Sequence, residues 1–361
     1  MATIPPAEWS EMTAKEKTAW VMTKAKEAGG AFKPKKLQES YILLRRAINL
    51  APWRLPNPAV WSTTDIFGTE ILREIDPNNA VLRYRSYQEM ARDYNFVPID
   101  WTNNQSQNPA CCLGYRNVYH LNDLMFRWET SNAFKDLIAC LKKNLEEPSS
   151  RLRNVKRIIC FEFGCMSNDI SCIKHLIAVE IGRVITSYQK ANPKHEFYVP
   201  VKIIAQDAPY CEYGKKYLEK IHDVAIRINP SGLLSVNENT FVISIGAKTC
   251  IRQIVADSTQ LRDGPAGMLC DKIQSNGHDH LETTLSTDDP DSENLWEYRS
   301  ENCDQATFTD NDPFIAQIFS NLELYMKRST GQPLVQIPEA DIVNDLVMWD
   351  CGMIPWTDLR L

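Results

Sequence analysis

The chain has 361 residues, 43% of them hydrophobic and 24% charged, with a net charge of −6. That composition suits a globular protein of one large or two ordinary domains and excludes a disordered chain or one coated uniformly for nucleic acid. No run of about eighteen apolar residues occurs, so no membrane-spanning helix is expected. Met1-Ala2-Thr3-Ile4-Pro5-Pro6 lacks the regions of a signal peptide, which makes a cytoplasmic location the expectation. Eleven cysteines occur without a CxxC pair, which reads as buried reduced thiols rather than a disulfide framework or a structural metal site.

Residues 1–150 read as a helical N-terminal extension. Met12 to Ala28 is helical and stops at Gly29-Gly30, and Leu37 to Leu50 repeats Tyr41, Leu44 and Ile48 at helical spacing. An irregular stretch with Pro56, Pro58 and several tryptophans follows. His120 to Leu145 is a further helix or helix pair. Residues 151–275 alternate and predict a Rossmann-like, three-layer α/β core with a mostly parallel sheet. Its strands are Arg157–Phe163, Val199–Ala205, Val224–Ile228 and Phe241–Ile245; its helices are Asp169–Tyr188, Tyr213–Ile221 and Cys250–Ala256. The acid-rich segment 276–311 reads as a surface loop or lid, where His278-Asp279-His280 lacks a third metal ligand. Residues 312–361 read as a C-terminal helical segment completing the core, with helices over Asp312–Lys327 and Pro338–Trp349.

Chemistry is expected where open α/β sheets place their ligands, at the carboxyl ends of the strands. The loop Glu162-Phe163-Gly164-Cys165-Met166-Ser167-Asn168-Asp169 runs from the first strand into a helix N-terminus, whose free N–H groups favour an anion or an activated thiol. Cys165 or Ser167 can be a nucleophile there, with Glu162 as base or cation anchor and Asp169 lining the pocket. Equally, Ser167 or Asn168 can cap the helix and Cys165 can pack. Glu162 in a buried strand needs a partner or a role. The loop lacks the second and third glycines of a dinucleotide fingerprint, and no phosphate-loop motif exists, so no nucleotide cofactor is expected. After the second strand, Gln206, Asp207 and Tyr210 face the same crevice; converging acids suit a guanidinium or amine. Asp207 at that position also keeps an adenosyl ligand in play. Arg252, Gln253 and Asp257 form a third candidate patch. Lys35 and Lys36, with Arg151, Arg153, Lys156 and Arg157, form two basic clusters that read as a phosphate-binding face or as solvated surface.

At Ile158-Ile159-Cys160-Phe161-Glu162-Phe163-Gly164, Ala205-Gln206-Asp207-Ala208-Pro209-Tyr210, Thr240-Phe241-Val242-Ile243-Ser244 and Arg252-Gln253-Ile254-Val255-Ala256-Asp257, the chain resembles the sensitivity-to-red-light-reduced family in a fungal-type version. The resemblance covers roughly 155–257, and Glu162 stands where that family usually has glycine. The grouping includes arginine-containing cyclodipeptide synthases, which draw arginine and a second amino acid from charged transfer RNAs without cofactor or metal. That resemblance implies an aminoacyl-tRNA partner held by the basic clusters. It also implies acids for the arginine side chain and an oxyanion site at the loop. A regulatory binding protein and an adenosyl-ligand transferase are the competing expectations.

Overall fold

The computed structural model describes residues 7–49, 59–76, 79–103, 118–166, 168–192, 200–206, 210–277 and 288–329. The first part contains α1 (Ala14–Glu27), α2 (Pro34–Asn49), β1 (Ala59–Thr64), β2 (Glu70–Ile75), β3 (Ala80–Tyr84), α3 (Tyr87–Asp93) and β4 (Ile99–Asn103). Next come α4 (Val118–Thr130), α5 (Asn132–Glu146), β5 (Arg157–Phe161), α6 (Asp169–Ala191), β6 (Lys202–Gln206), α7 (Glu212–His222) and β7 (Val224–Arg227). The remainder is α8 (Ser231–Leu234), β8 (Thr240–Ser244), α9 (Ile251–Thr259), β9 (Gly267–Asp271), α10 (Glu293–Ser300), β10 (Cys303–Thr307), α11 (Pro313–Phe319) and β11 (Leu322–Lys327).

A seven-stranded sheet in the order β10-β11-β9-β8-β5-β6-β7 organises the chain. The strands β5 to β9 are mutually parallel where they pair, and β11 runs antiparallel between β9 and β10. Because strand side chains alternate, each strand feeds two cores. Ile158, Cys160, Ala205, Ile243 and Leu269 point to one core with Trp128, Leu137, Ile177, Ile181 and Phe319. Ile159, Phe161, Val242, Met268 and Cys270 point to the other with Val21, Leu37, Met90, Ile254 and Leu295. Each such fully buried Ile or Leu stabilises the layers by about 1.5–3 kcal/mol. The result is the expected three-layer Rossmann-like fold. The antiparallel strand slotted in beside the last parallel one makes the sheet methyltransferase-type.

Three expectations are corrected. The N-terminal part is not only helical: β1 pairs with β2 and β3 with β4. Trp61, Leu82, Tyr84, Ile99 and Trp101 bury the inner positions of these hairpins, a period of two that the prolines and tryptophans obscured. Asp312–Lys327 is not one helix; α11 ends at Phe319 and Leu322–Lys327 is a strand buried at every position. Its charges are paired inside, with the Lys327 amine donating to Asp263 at 2.6 Å and to the Glu301 carbonyl at 2.8 Å. Nor is 288–311 a loop: Asp289 and Asp291 are buried, and α10 and β10 follow. Residues 278–287, and the helix expected over 338–349, lie outside the described residues.

Candidate functional site at the carboxyl edge of the sheet

The register aligns Phe161 with Gln206 and with Ser244, and Ser244 with Cys270, so β5, β6, β8 and β9 end level. Glu162 lies just past β5 and Asp271 is the last residue of β9, each closing an apolar run. Glu162 sits beyond the strand with φ 55°, and is half-buried rather than buried. Its carboxylate accepts the Lys248 backbone N–H at 2.5 Å, from the loop after β8. Asp271 accepts the Gly246 N–H at 3.2 Å from the same loop. Burial pushes the Asp271 carboxyl above its ordinary range, with Arg252 opposing. Two carboxylates are therefore held at the crevice by main-chain donors of a shared loop. The buried Lys174 amine, from α6, donates to the Ile245 carbonyl at 2.5 Å and ties that helix to it.

The β5 loop turns at Gly164, whose φ of 74° suits glycine, and a Cβ there would lie 3.1 Å from the Ser171 hydroxyl. Asn168 caps α6, accepting the Ser171 N–H at 2.8 Å. Asp169, in the first turn of α6, meets the His120 Nε2 at 3.0 Å, both side chains 41% exposed. Cys165 is buried in the core, its Sγ 3.4 Å from that of Cys211; as an open nucleophile it is corrected to a packed thiol. Ser167 and Asp207 lie outside the described residues.

Gln206 is buried, and its side-chain oxygen accepts the Gly232 N–H at 2.6 Å and the Leu233 N–H at 3.2 Å at the start of α8. A Cβ on Gly232 would come 2.8 Å from that oxygen, so the approach requires glycine. The Gln206 amide donates to Asn229, which also accepts the Tyr84 hydroxyl at 2.6 Å. This chain of hydrogen bonds brings the β3 hairpin to the crevice, which no local signal foretold. Gln206 therefore shapes the wall instead of reaching freely for ligand. Tyr210 is buried beside His175, its hydroxyl 3.4 Å from Nε2, which also meets the Gly164 carbonyl at 3.2 Å. Burial pulls the His175 pKa down to about 4.

Asp257 is corrected from substrate binding to an internal tie. It accepts the Tyr87 hydroxyl, the Ala31 N–H at 3.2 Å and the Asn294 amide at 2.8 Å, and burial raises its pKa. Arg252 is a second tie: it donates to Asp289 at 3.1 Å and to Asp291 at 2.9 Å, with both carboxylates buried.

The second basic cluster sits at the opposite, amino edge, roughly 13 Å away along β5. Arg151 is corrected from a phosphate ligand. It is buried and donates to the carbonyls of Glu238 (3.0 Å), Asp263 (2.9 Å) and Gly264 (2.8 Å). The Arg157 guanidinium, half-buried, donates to the Ser235 carbonyl. Arg153 lies over the Tyr188 ring at 5.9 Å, and Lys156 is exposed. Lys35 is exposed on α2, and Lys36 donates to the Asp65 carbonyl at 3.1 Å. The cluster at 151–157 thus lies at the sheet edge opposite the crevice loop. Asp271, Lys248, Asn229 and Tyr84 were missed from sequence; only Asp271 carried a signal, an acid ending the apolar run Gly267-Met268-Leu269-Cys270.

No family model matches the chain, and no curated protein matches it. Among solved structures it is similar to the N-terminal domain of EvdMO1 with SAH bound, at 12% identity and a TM-score of 0.21; the match covers 53% of this chain and 66% of that one, just under two thirds. Among the described residues, no helix is long and apolar enough to cross a membrane, and no group of three metal-ligating side chains occurs.

Proposed function

We propose that the chain is a transferase that takes an adenosyl ligand in the crevice over the ends of β5, β6 and β8. The observation that carries this reading is the strand order, with antiparallel β11 between β9 and β10. Open α/β sheets take their ligands outside the strand ends where the order reverses, which here is between β5 and β8. Glu162 and Asp271 put negative charge where a sulfonium or an amine would lie, and the α6 N-terminus favours a carboxylate. Gly164 leaves room for close approach of a ligand, as the first glycine of such loops does. Met166 stands where a further glycine would, and its side chain is buried in the core; the loop therefore offers one close backbone approach, not several. An adenosyl sulfonium group supplies an activated alkyl group; the residues named hold and orient it. Titration with S-adenosylhomocysteine should give saturable binding that weakens at least about tenfold in Glu162→Gln, the loss of roughly one charge-assisted contact. Heat-free titrations at millimolar ligand would reject the reading.

A second reading, an arginine cyclodipeptide synthase, is favoured by the same pair of acids, which suits a guanidinium, and by the motif resemblance. Mass spectrometry of cells expressing the chain separates the two: an arginine diketopiperazine supports the synthase, and its absence beside S-adenosylhomocysteine binding supports the first reading.

A further inference from the structure

The thiols of Cys165 and Cys211 belong to the two loops that frame the crevice, Cys165 after β5 and Cys211 at the N-cap of α7 after β6. Their sulfurs are 3.4 Å apart, although the residues are 46 positions apart in the chain. A disulfide needs about 2.05 Å, so the two sulfurs must approach by only about 1.4 Å. Both residues are buried yet not sealed, at 8% and 7% exposure. Elsewhere burial alone pushes the Cys160 thiol up, and burial with acidic neighbours does the same for Cys250, which makes both inert. At Cys211 the sulfur accepts the Gly214 N–H at 3.3 Å, as an N-cap, as well as the Cys165 S–H. Two donors aimed at one sulfur at the start of an eleven-residue helix are the arrangement that stabilises a thiolate.

We infer that Cys165 and Cys211 form an oxidative modification site, at which a low-molecular-weight disulfide cross-links the β5 and β6 loops. The Cys211 thiolate attacks one sulfur of the small disulfide, forming a mixed disulfide and releasing one small thiolate. Cys165 gives its proton to that thiolate and attacks the Cys211 sulfur, expelling the second small thiolate, which takes from solvent the proton that Cys211 gave up on ionising. Two protein thiols are oxidised and one small disulfide is reduced to two thiols. The cross-link fastens the Gly164 turn to the start of α7, so oxidation changes the mobility of the crevice whatever ligand it takes.

Incubating the full chain with oxidised glutathione and mapping peptides without reduction tests this. A Cys165–Cys211 cross-linked pair, lighter by two hydrogens, should exceed any other pair at least tenfold and vanish on treatment with dithiothreitol. Amide exchange around Gly164 and Gly214 should slow at least tenfold in the oxidised form. Cys172→Ser should cross-link like the wild type, because Cys172 is directed at the Met166 carbonyl, 3.8 Å away. Cys165→Ser should stop at the glutathione adduct of Cys211. A wild-type chain that stays reduced, links Cys165 to Cys172 instead, or rests as the Cys211 adduct would overturn the proposal; the wild-type map alone decides it if a variant fails to fold.

Discussion

Two pairs of charged residues at opposite edges of the same sheet, Arg151 with Lys327 and Glu162 with Asp271, are held in opposite ways. At the amino edge Arg151 and Lys327 are buried, both tied to Asp263, with backbone carbonyls accepting further donors of each. At the carboxyl edge Glu162 and Asp271 are half-buried and held by backbone N–H groups of the loop after β8. A charge satisfied inside the protein is structure; a charge steadied by main chain beside open space is available to a ligand. The basic cluster at 151–157 therefore looked functional in sequence and is largely architecture, while the acids at the strand ends retain their reach.

Several substitutions break or sharpen that contrast. The largest loss is expected for Arg252→Ala, which leaves Asp289 and Asp291 buried without their cation. Urea unfolding should register about 3–5 kcal/mol, and a loss under about 1 kcal/mol would place this tie among the dispensable contacts. Arg151→Ala strips three backbone carbonyls of their donor and should cost about 2–4 kcal/mol, without altering the salt dependence of any polyanion binding. An unchanged unfolding midpoint would return Arg151 to the functional column.

Acid should expose His175. Its folded pKa, lowered by burial to about 4, lies below the ordinary value of 6.5, so the unfolded chain takes up the proton first. The stability it contributes is present above pH 6.5 and is lost as pH falls through about 4, reaching roughly 3 kcal/mol. His175→Gln should flatten that part of the pH profile; parallel profiles for both proteins would show that the loss comes from elsewhere. The smallest effect belongs to the outer charges. Lys35→Glu, Arg153→Glu and Lys156→Glu should each move stability by less than about 0.5 kcal/mol. If together they abolish transfer-RNA binding with a flattened salt slope, the basic face regains its role.

The core was legible where periodicity was clean. The runs read as strands over Arg157–Phe163, Val199–Ala205 and Phe241–Ile245 overlap β5, β6 and β8, because parallel strands bury both faces, and α6 showed its apolar stripe. β9 and β11 were not recovered. In β11 Glu323 and Lys327 look like solvent residues; the Tyr325 hydroxyl for the one, and Asp263 with the Glu301 carbonyl for the other, make their burial tolerable. The acidic stretch failed for a related reason: Asp289 and Asp291 read as surface until Arg252, nearly forty positions earlier, comes against them.

Local pattern thus determined that the central segment is α/β and that Glu162 stands at the end of its first strand, because alternation, glycine turns and helix caps are encoded within a few residues. Only the tertiary structure decided which charges are ties and which face the crevice, since a carboxylate or guanidinium has the same local signature in both settings. It also decided that Asp271 joins Glu162, that the β3 hairpin reaches the crevice through Tyr84 and Asn229, and that Cys165 meets Cys211. Those juxtapositions depend on strand order, and strand order is set by which faces bury together over the whole chain.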